Sequence, residues 1–229
     1  MEFKLREKHY KNSRFSEKVC LKSKQRKMDI DFNEIQQLTC KYIKENIETT
    51  KTLNVNIPRA NEVTVIRTQA QLNNFILILS FIEKFGKIDY LSIQTYTIDE
   101  KFINSMLILL NEKKIDKLEL IISETMSFRM PKIYVKIKEM FANNINCNLA
   151  FYWVHSKIIL IKCGNEKFNI DGSGNFSSNA QIEHYNIFHS EKMFNFDFDL
   201  NQSFYFGAKL RKGHEIFKNF NPCLEEIKL

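Results

Sequence analysis

The chain has 229 residues, is 44% hydrophobic and carries a formal net charge of +7, which suits one domain with extensions and a sizeable core. Its most apolar run, FILILSFI at residues 75–82, is far too short to span a bilayer. Five cysteines, an odd number without any CxxC spacing, and an N-terminus without a secretory pattern argue against a disulfide scaffold and lead to the expectation of reduced thiols in a cytoplasmic protein.

Residues 1–27 hold ten Lys or Arg against three Glu, a surplus of seven that equals the whole-chain charge, so residues 28–229 balance to zero. This basic arm, with Lys22, Lys24, Arg26 and Lys27 at its end and Phe3, His9, Tyr10 and Phe15 interleaved, suits contact with a nucleic-acid backbone. A tail that aids solubility and an anionic membrane surface are the alternatives. Residues 32–48 place Ile35, Leu38 and Tyr42 near helical spacing, predicting an amphipathic helix that covers the domain or helps a dimer form. Residues 1–55 are thus an arm plus helix, and residues 56–229 the main domain.

Strand and helix signals then alternate. Residues 61–66 (NEVTVI) read as a strand, and Thr68 with Gln71 as a capping box opening a helix through residue 85, ended by Gly86. Residues 88–96 read as a strand, and Thr97 with Glu100 as a second capping box opening a helix over 101–113. A strand over 117–123 follows, then a helix over 131–144 with Pro131 at its first position, then strands over 147–153 and 155–161. Such alternation predicts an α/β sandwich with a mixed or mostly parallel central sheet flanked by helices, and near-continuous apolar strands fit a sheet covered on both faces. Beyond residue 190, Phe194, Phe196, Phe198, Phe204, Tyr205 and Phe206 form an aromatic-rich C-terminal extension, expected to pack on the core or a partner subunit ahead of stacking bases.

Chemistry concentrates in residues 150–190. On a strand HSKIILI, His155 and Lys157 point the same way. The hairpin partner EKFNID delivers Gly172-Ser173-Gly174-Asn175 back beside them, and Glu183 lies on the strand-like run IEHYNIF. A neutral imidazole can attack phosphorus and form a covalent intermediate. Lysine offers charge to phosphate oxygens, and the Ser and Asn side chains add neutral donors where charge develops. The flanking glycines, Gly172 and Gly174, permit close approach of backbone to ligand. A carboxylate at Glu183 can fix the histidine tautomer. A second histidine is needed to protonate the leaving oxygen, and a symmetric dimer supplies it. The five scattered histidines and the cysteines form no metal-ligand spacing, and no cofactor motif is present.

Residues 155–183 resemble the single catalytic motif of the phospholipase D-like superfamily: His-x-Lys, four residues, Asp, then Gly-Ser-x-Asn. His155, Lys157, Gly172, Ser173 and Asn175 match, and Glu183 matches the downstream acidic residue. The resemblance implies a phospholipase D-like α/β sandwich and a metal-independent phosphodiesterase of the nuclease type. By it, His155 is nucleophile or acid, Lys157 and Asn175 bind phosphate, Ser173 supports the site and Glu183 orients the histidine. The departure is Lys162, where the family usually has Asp; Asp171 is a candidate to stand in for it. The expected function is cleavage of DNA or RNA through a phosphohistidine in a homodimeric site. The alternatives are a binding module of the same fold without turnover, and a phospholipid-directed hydrolase.

Overall fold

Eight short segments pair into one sheet, and the helices between them cover it. The computed structural model describes Tyr42, Ile43, Glu45, Thr49 and residues 55–68, 73–177, 182–206 and 213–221. The basic arm with Lys22, Lys24, Arg26 and Lys27 lies outside the described residues. In chain order the elements are β1 (Val63–Thr68), α1 (Asn74–Phe85), β2 (Ile88–Thr95), α2 (Glu100–Asn111), β3 (Ile115–Ser123), α3 (Met126–Arg129), α4 (Pro131–Phe141), β4 (Cys147–Tyr152), β5 (Ile158–Cys163), β6 (Glu166–Gly172), β7 (Glu183–His189), α5 (Glu191–Phe206) and β8 (Glu215–Phe217).

The sheet order is β1-β7-β6-β5-β2-β3-β4-β8. Pairs β2–β3 and β3–β4 are parallel and the others antiparallel, so the sheet is mixed with a parallel centre. Helices α1, α2 and α4 cover one face. Their Phe75, Leu77, Phe102, Met106, Ile137 and Phe141 form one core with Ile93, Leu120, Phe151, Ile161 and Ile170 of the strands. Tyr42 joins that side, its ring stacked on Phe75 at 5.5 Å, which agrees with the default of core packing for the upstream helix.

The other face is covered by α5, formed by the aromatic-rich stretch expected to pack on the core or a partner subunit. Phe194, Phe198 and Tyr205 are buried, whereas Phe196 and Phe206 are exposed. Polar pairs also cross this interface. Asn169 donates to Asp197, Gln94 to Asn201, and Asn201 to Ser92 at 2.9 Å. The fully buried Glu119 accepts from Tyr90, from Asn148 at 3.1 Å and from Gln202 at 3.1 Å.

Two predicted caps shift. Helix α1 begins at Asn73, whose side chain accepts from Ile76 N, while Thr68 closes β1 and residues 69–72 lie outside the described residues. Helix α2 is capped by Asp99, which accepts from Phe102 N; Thr97 instead gives its carbonyl to Phe176 N. Gly86 ends α1 at φ 82°, as expected of a left-handed C-cap residue. Pro131 opens α4, and Gly164, at φ 59°, turns β5 into β6.

Candidate active site

His155 and Lys157 were expected within a strand over 155–161, but β5 begins three residues later, at Ile158. The topology explains why. Strands β4 and β5 are separated in the sheet by β3 and β2, so residues 153–157 must cross about 14 Å at the usual strand spacing. Those residues are spent on the crossing rather than on pairing. Their orientation is set by Ser156, which donates to the Gln94 side chain, itself bonded to Asn201 of α5.

The crossing runs along one edge of the sheet. That edge collects the C-terminal ends of β2, β3, β4 and β6 and the N-terminal ends of β5 and β7, because Gln94 and Asp171 both lie opposite Ile158, and Gly172 lies opposite Tyr185. Three separate segments therefore deliver His155 and Lys157, Ser173 and Asn175, and Glu183 to one place. The loop after β6 is stitched down on every side. Gly172 N donates to Lys157 O, Ser173 N to His184 O, Phe176 N to Thr97 O, and Asp99 N to Phe176 O. The Asn74 amide, at the first turn of α1, donates to Gly174 O at 2.7 Å. Helices α1 and α2 thus point their N-termini at this edge, where their dipoles favour an anion.

Both loop glycines are required by packing. A Cβ on Gly172 would stand 2.5 Å from Tyr185 Cδ1 and 2.7 Å from His184 O, and one on Gly174 would stand 2.1 Å from the Tyr185 hydroxyl. Tyr185 fills the space that the glycines leave.

His155 is exposed, and its ring lies 4.7 Å from that of Tyr96. The Lys157 ammonium donates to His155 O at 2.7 Å and lies 3.2 Å from His155 Nδ1. Burial pushes the Lys157 pKa down, while the charges of Glu183 and Tyr96 act upward. Glu183 is 7% exposed and accepts the Ser173 hydroxyl, whose oxygen in turn accepts from His184 N at 3.1 Å. In this arrangement the Ser173 proton is engaged by Glu183, and Glu183 also balances the lysine charge. Among the described residues, the buried amide oxygen of Asn175, an acceptor, has no hydrogen-bond partner.

Three residues at this edge escaped the sequence reading. Tyr96 is ringed by His155, by Lys157 Nζ at 5.8 Å and by the Arg129 guanidinium at 4.7 Å. Arg129 sits on α3, too short to show a period. Asn74 had a legible signal, since an Asn-Asn pair directly before an apolar run is a helix-start pattern.

Lys162 takes no part. It is 3% exposed, lies opposite Tyr90 and Lys167, and sits about 14 Å along the strand from Ile158. Burial lowers its pKa and Asp89 acts upward. Asp171 is exposed opposite Ile158, at the other end of β6 from the partner of Lys162, so it does not occupy the same place. Among the described residues no group of three or more His, Cys, Asp or Glu is disposed to hold a metal ion.

No family profile and no curated protein matches this chain. Among solved structures, it is similar to phosphatidylserine synthase from Haemophilus influenzae Rd KW20, with 14% identity, a TM-score of 0.49, and coverage of 76% of this chain and 45% of that one. It is also similar to polyphosphate kinase from Porphyromonas gingivalis, with 16% identity, a TM-score of 0.40, and coverage of 68% of this chain and 24% of that one. A third is the archaeal chromatin protein TrmBL2, at 10% identity, a TM-score of 0.42, and coverage of 78% of this chain and 64% of that one. The chain thus spans less than two thirds of each of these proteins.

Proposed function

We propose that this chain is a phosphodiesterase of the phospholipase D-like type that cleaves nucleic acid through a phosphohistidine. The observation that carries the reading is the convergence on one sheet edge of His155, Lys157, the Gly172–Asn175 loop and Glu183, brought there by three different segments. The basic arm of residues 1–27 favours a nucleic acid over other phosphodiesters.

The chemistry follows from the side chains. Once the Lys157 ammonium has left Nδ1, the imidazole carries its proton there and His155 offers the Nε2 lone pair to phosphorus. The N–P bond forms as the bond to the leaving oxygen breaks. Lys157 turns from His155 to a non-bridging oxygen, and the Asn175 amide joins it where charge develops. A second imidazole protonates the leaving oxygen, then takes a proton from the water that attacks phosphorus and releases His155. In a homodimer that imidazole is His155 of the second copy, placed by a two-fold axis.

The test is cleavage of DNA and RNA in excess EDTA, wild type beside His155→Ala and Lys157→Ala. The expected result is EDTA-resistant cleavage, abolished in His155→Ala and reduced about 100-fold or more in Lys157→Ala. Folded wild type that binds but never cleaves, with binding unchanged by His155→Ala, would leave a binding module. A wild type that sediments as a monomer while cleaving would remove the shared site.

A further inference from the structure

Two large aromatic side chains stand in water on the rim of this site. Trp153 is 75% exposed and Phe128 is 71% exposed. Neither sits on a loose segment. Val154 N donates to Tyr152 O at 2.9 Å, making a tight turn with Trp153 at its apex, while Tyr152 and Val154 on either side are 5% and 6% exposed. Phe128 lies on α3, a single turn held inward by the fully buried Met126 and by the Arg129 N bond to Thr125 O. The two segments leave the sheet side by side, since Ser123 pairs with Tyr152 and Glu124 N donates to Tyr152 O. Tyr96 lies against the His155 ring at 4.7 Å and carries the Arg129 guanidinium 4.7 Å above its own ring.

Single exposed apolar side chains are ordinary on a protein surface; what sets Trp153 and Phe128 apart is the pair of cations at the same sheet edge. Arg129 and Lys157 are cations placed against the same ring, which fits a ligand that alternates anionic groups with flat apolar ones. Trp153 is two residues from His155, at most about 7 Å away along the chain, within one to two nucleotide steps. We propose that Trp153 and Phe128, with Arg129 on Tyr96, form a base-stacking shelf that selects single-stranded nucleic acid as the substrate. The proposal rests on the nucleic-acid reading of the site and names its substrate class. A single strand can splay its bases onto such a shelf, whereas a duplex keeps them stacked inside.

Trp153 is the chain's single tryptophan, so intrinsic fluorescence reads the shelf directly. Full-length His155→Ala protein, which retains the rim, is titrated with a single-stranded oligonucleotide, with the same sequence annealed as duplex, and with phosphatidylserine-containing vesicles. The expected result is quenching by the single strand at concentrations where duplex and vesicles leave the emission unchanged. Trp153→Leu is expected to weaken single-strand binding, read by anisotropy of a labelled oligonucleotide, about 5- to 100-fold, and Trp153→Phe only a few-fold because it keeps a ring. Equal quenching by duplex, or a spectral change with vesicles alone, would overturn the proposal, the latter assigning the rim to a lipid surface. Single-strand binding that leaves Trp153 emission unchanged would also overturn it, placing the contact elsewhere. These failures differ from failure of the catalytic reading. If wild type cleaves in EDTA while Trp153 stays silent, the shelf falls and the site stands; if Trp153 is quenched but wild type never cleaves, the shelf stands and catalysis falls.

Discussion

Tyr185 and the two glycines above it show how tightly the site loop is specified. The hydroxyl stands 2.1 Å from a Cβ built on Gly174, and the next atom, Cζ, at 3.0 Å. Gly174→Ala is therefore expected to cost about 1–3 kcal/mol by overpacking, and Tyr185→Phe in the same chain should recover part of that. At Gly172 the clash includes the backbone oxygen of His184 at 2.7 Å, so the same second substitution should not rescue Gly172→Ala. Urea unfolding of the four variants checks both, and equal rescue at the two positions would refute the packing account. Lys157 yields a pH prediction. Burial lowers its pKa from the ordinary 10.5, and phosphate binding needs the charged form. Plots of kcat/KM against pH should show an alkaline limb below that value. Lys157→Arg should lose the limb, because guanidinium does not deprotonate, while activity is reduced by the different geometry. An unchanged alkaline limb in the arginine variant would assign it to another group.

At the scale of elements, the starts of α1 and α2 do different work. Asp99 caps α2 through Phe102 N, so Asp99→Ala should cost about 1 kcal/mol of stability and leave cleavage nearly intact once folded. Asn74 donates to Gly174 O, a buried bond between α1 and the site loop. Asn74→Ala leaves that carbonyl unpaired at a cost of about 1–3 kcal/mol and frees the loop, so cleavage should fall beyond what stability explains. Thermal melts beside initial rates, both taken well below the melting point, separate the two; similar rate losses in both variants would argue against a loop tether. Helix α5 shows the same principle on the opposite face. Its Asn201 reaches Gln94, and Gln94 reaches Ser156 between the two reactive side chains, so a helix that touches no substrate fixes the His-x-Lys crossing.

For the molecule as a whole, the unusual term is the buried carboxyl of Glu119 under α5. Burial raises its pKa above 4.5, against the lowering effect of hydrogen bonds from Tyr90, Asn148, Gln202 and Ser92. A carboxyl whose folded pKa lies above its unfolded value contributes stability that is fully present below the unfolded value. That contribution is lost as pH rises through the folded value. The stability difference between wild type and Glu119→Gln should therefore shift in favour of the variant as pH rises above 4.5, measured by denaturant midpoints across the pH range. A pH-independent difference would mean that the carboxyl does not change protonation in the fold.

The sequence by itself determined the local features. Hydrophobic runs separated by Gly86, Pro131 and the Gly164 turn marked most of the strands and helices, because period and punctuation are properties of neighbouring residues. The His155, Lys157, Ser173, Asn175 and Glu183 set was legible for the same reason, lying within thirty residues of chain. Cap positions were missed where Asn73 and Asp99 outcompeted the threonines, a choice made by which side chain meets a free N–H. Only the tertiary structure decided the rest. Strand order forced residues 153–157 to cross the sheet instead of pairing, and lifted Trp153 onto the rim. It also set Arg129 over Tyr96 from 33 positions away, and seated α5 on a polar layer that no periodicity announces. These are contacts between segments distant in sequence, fixed by the order in which strands pair, and a linear pattern carries no record of that order.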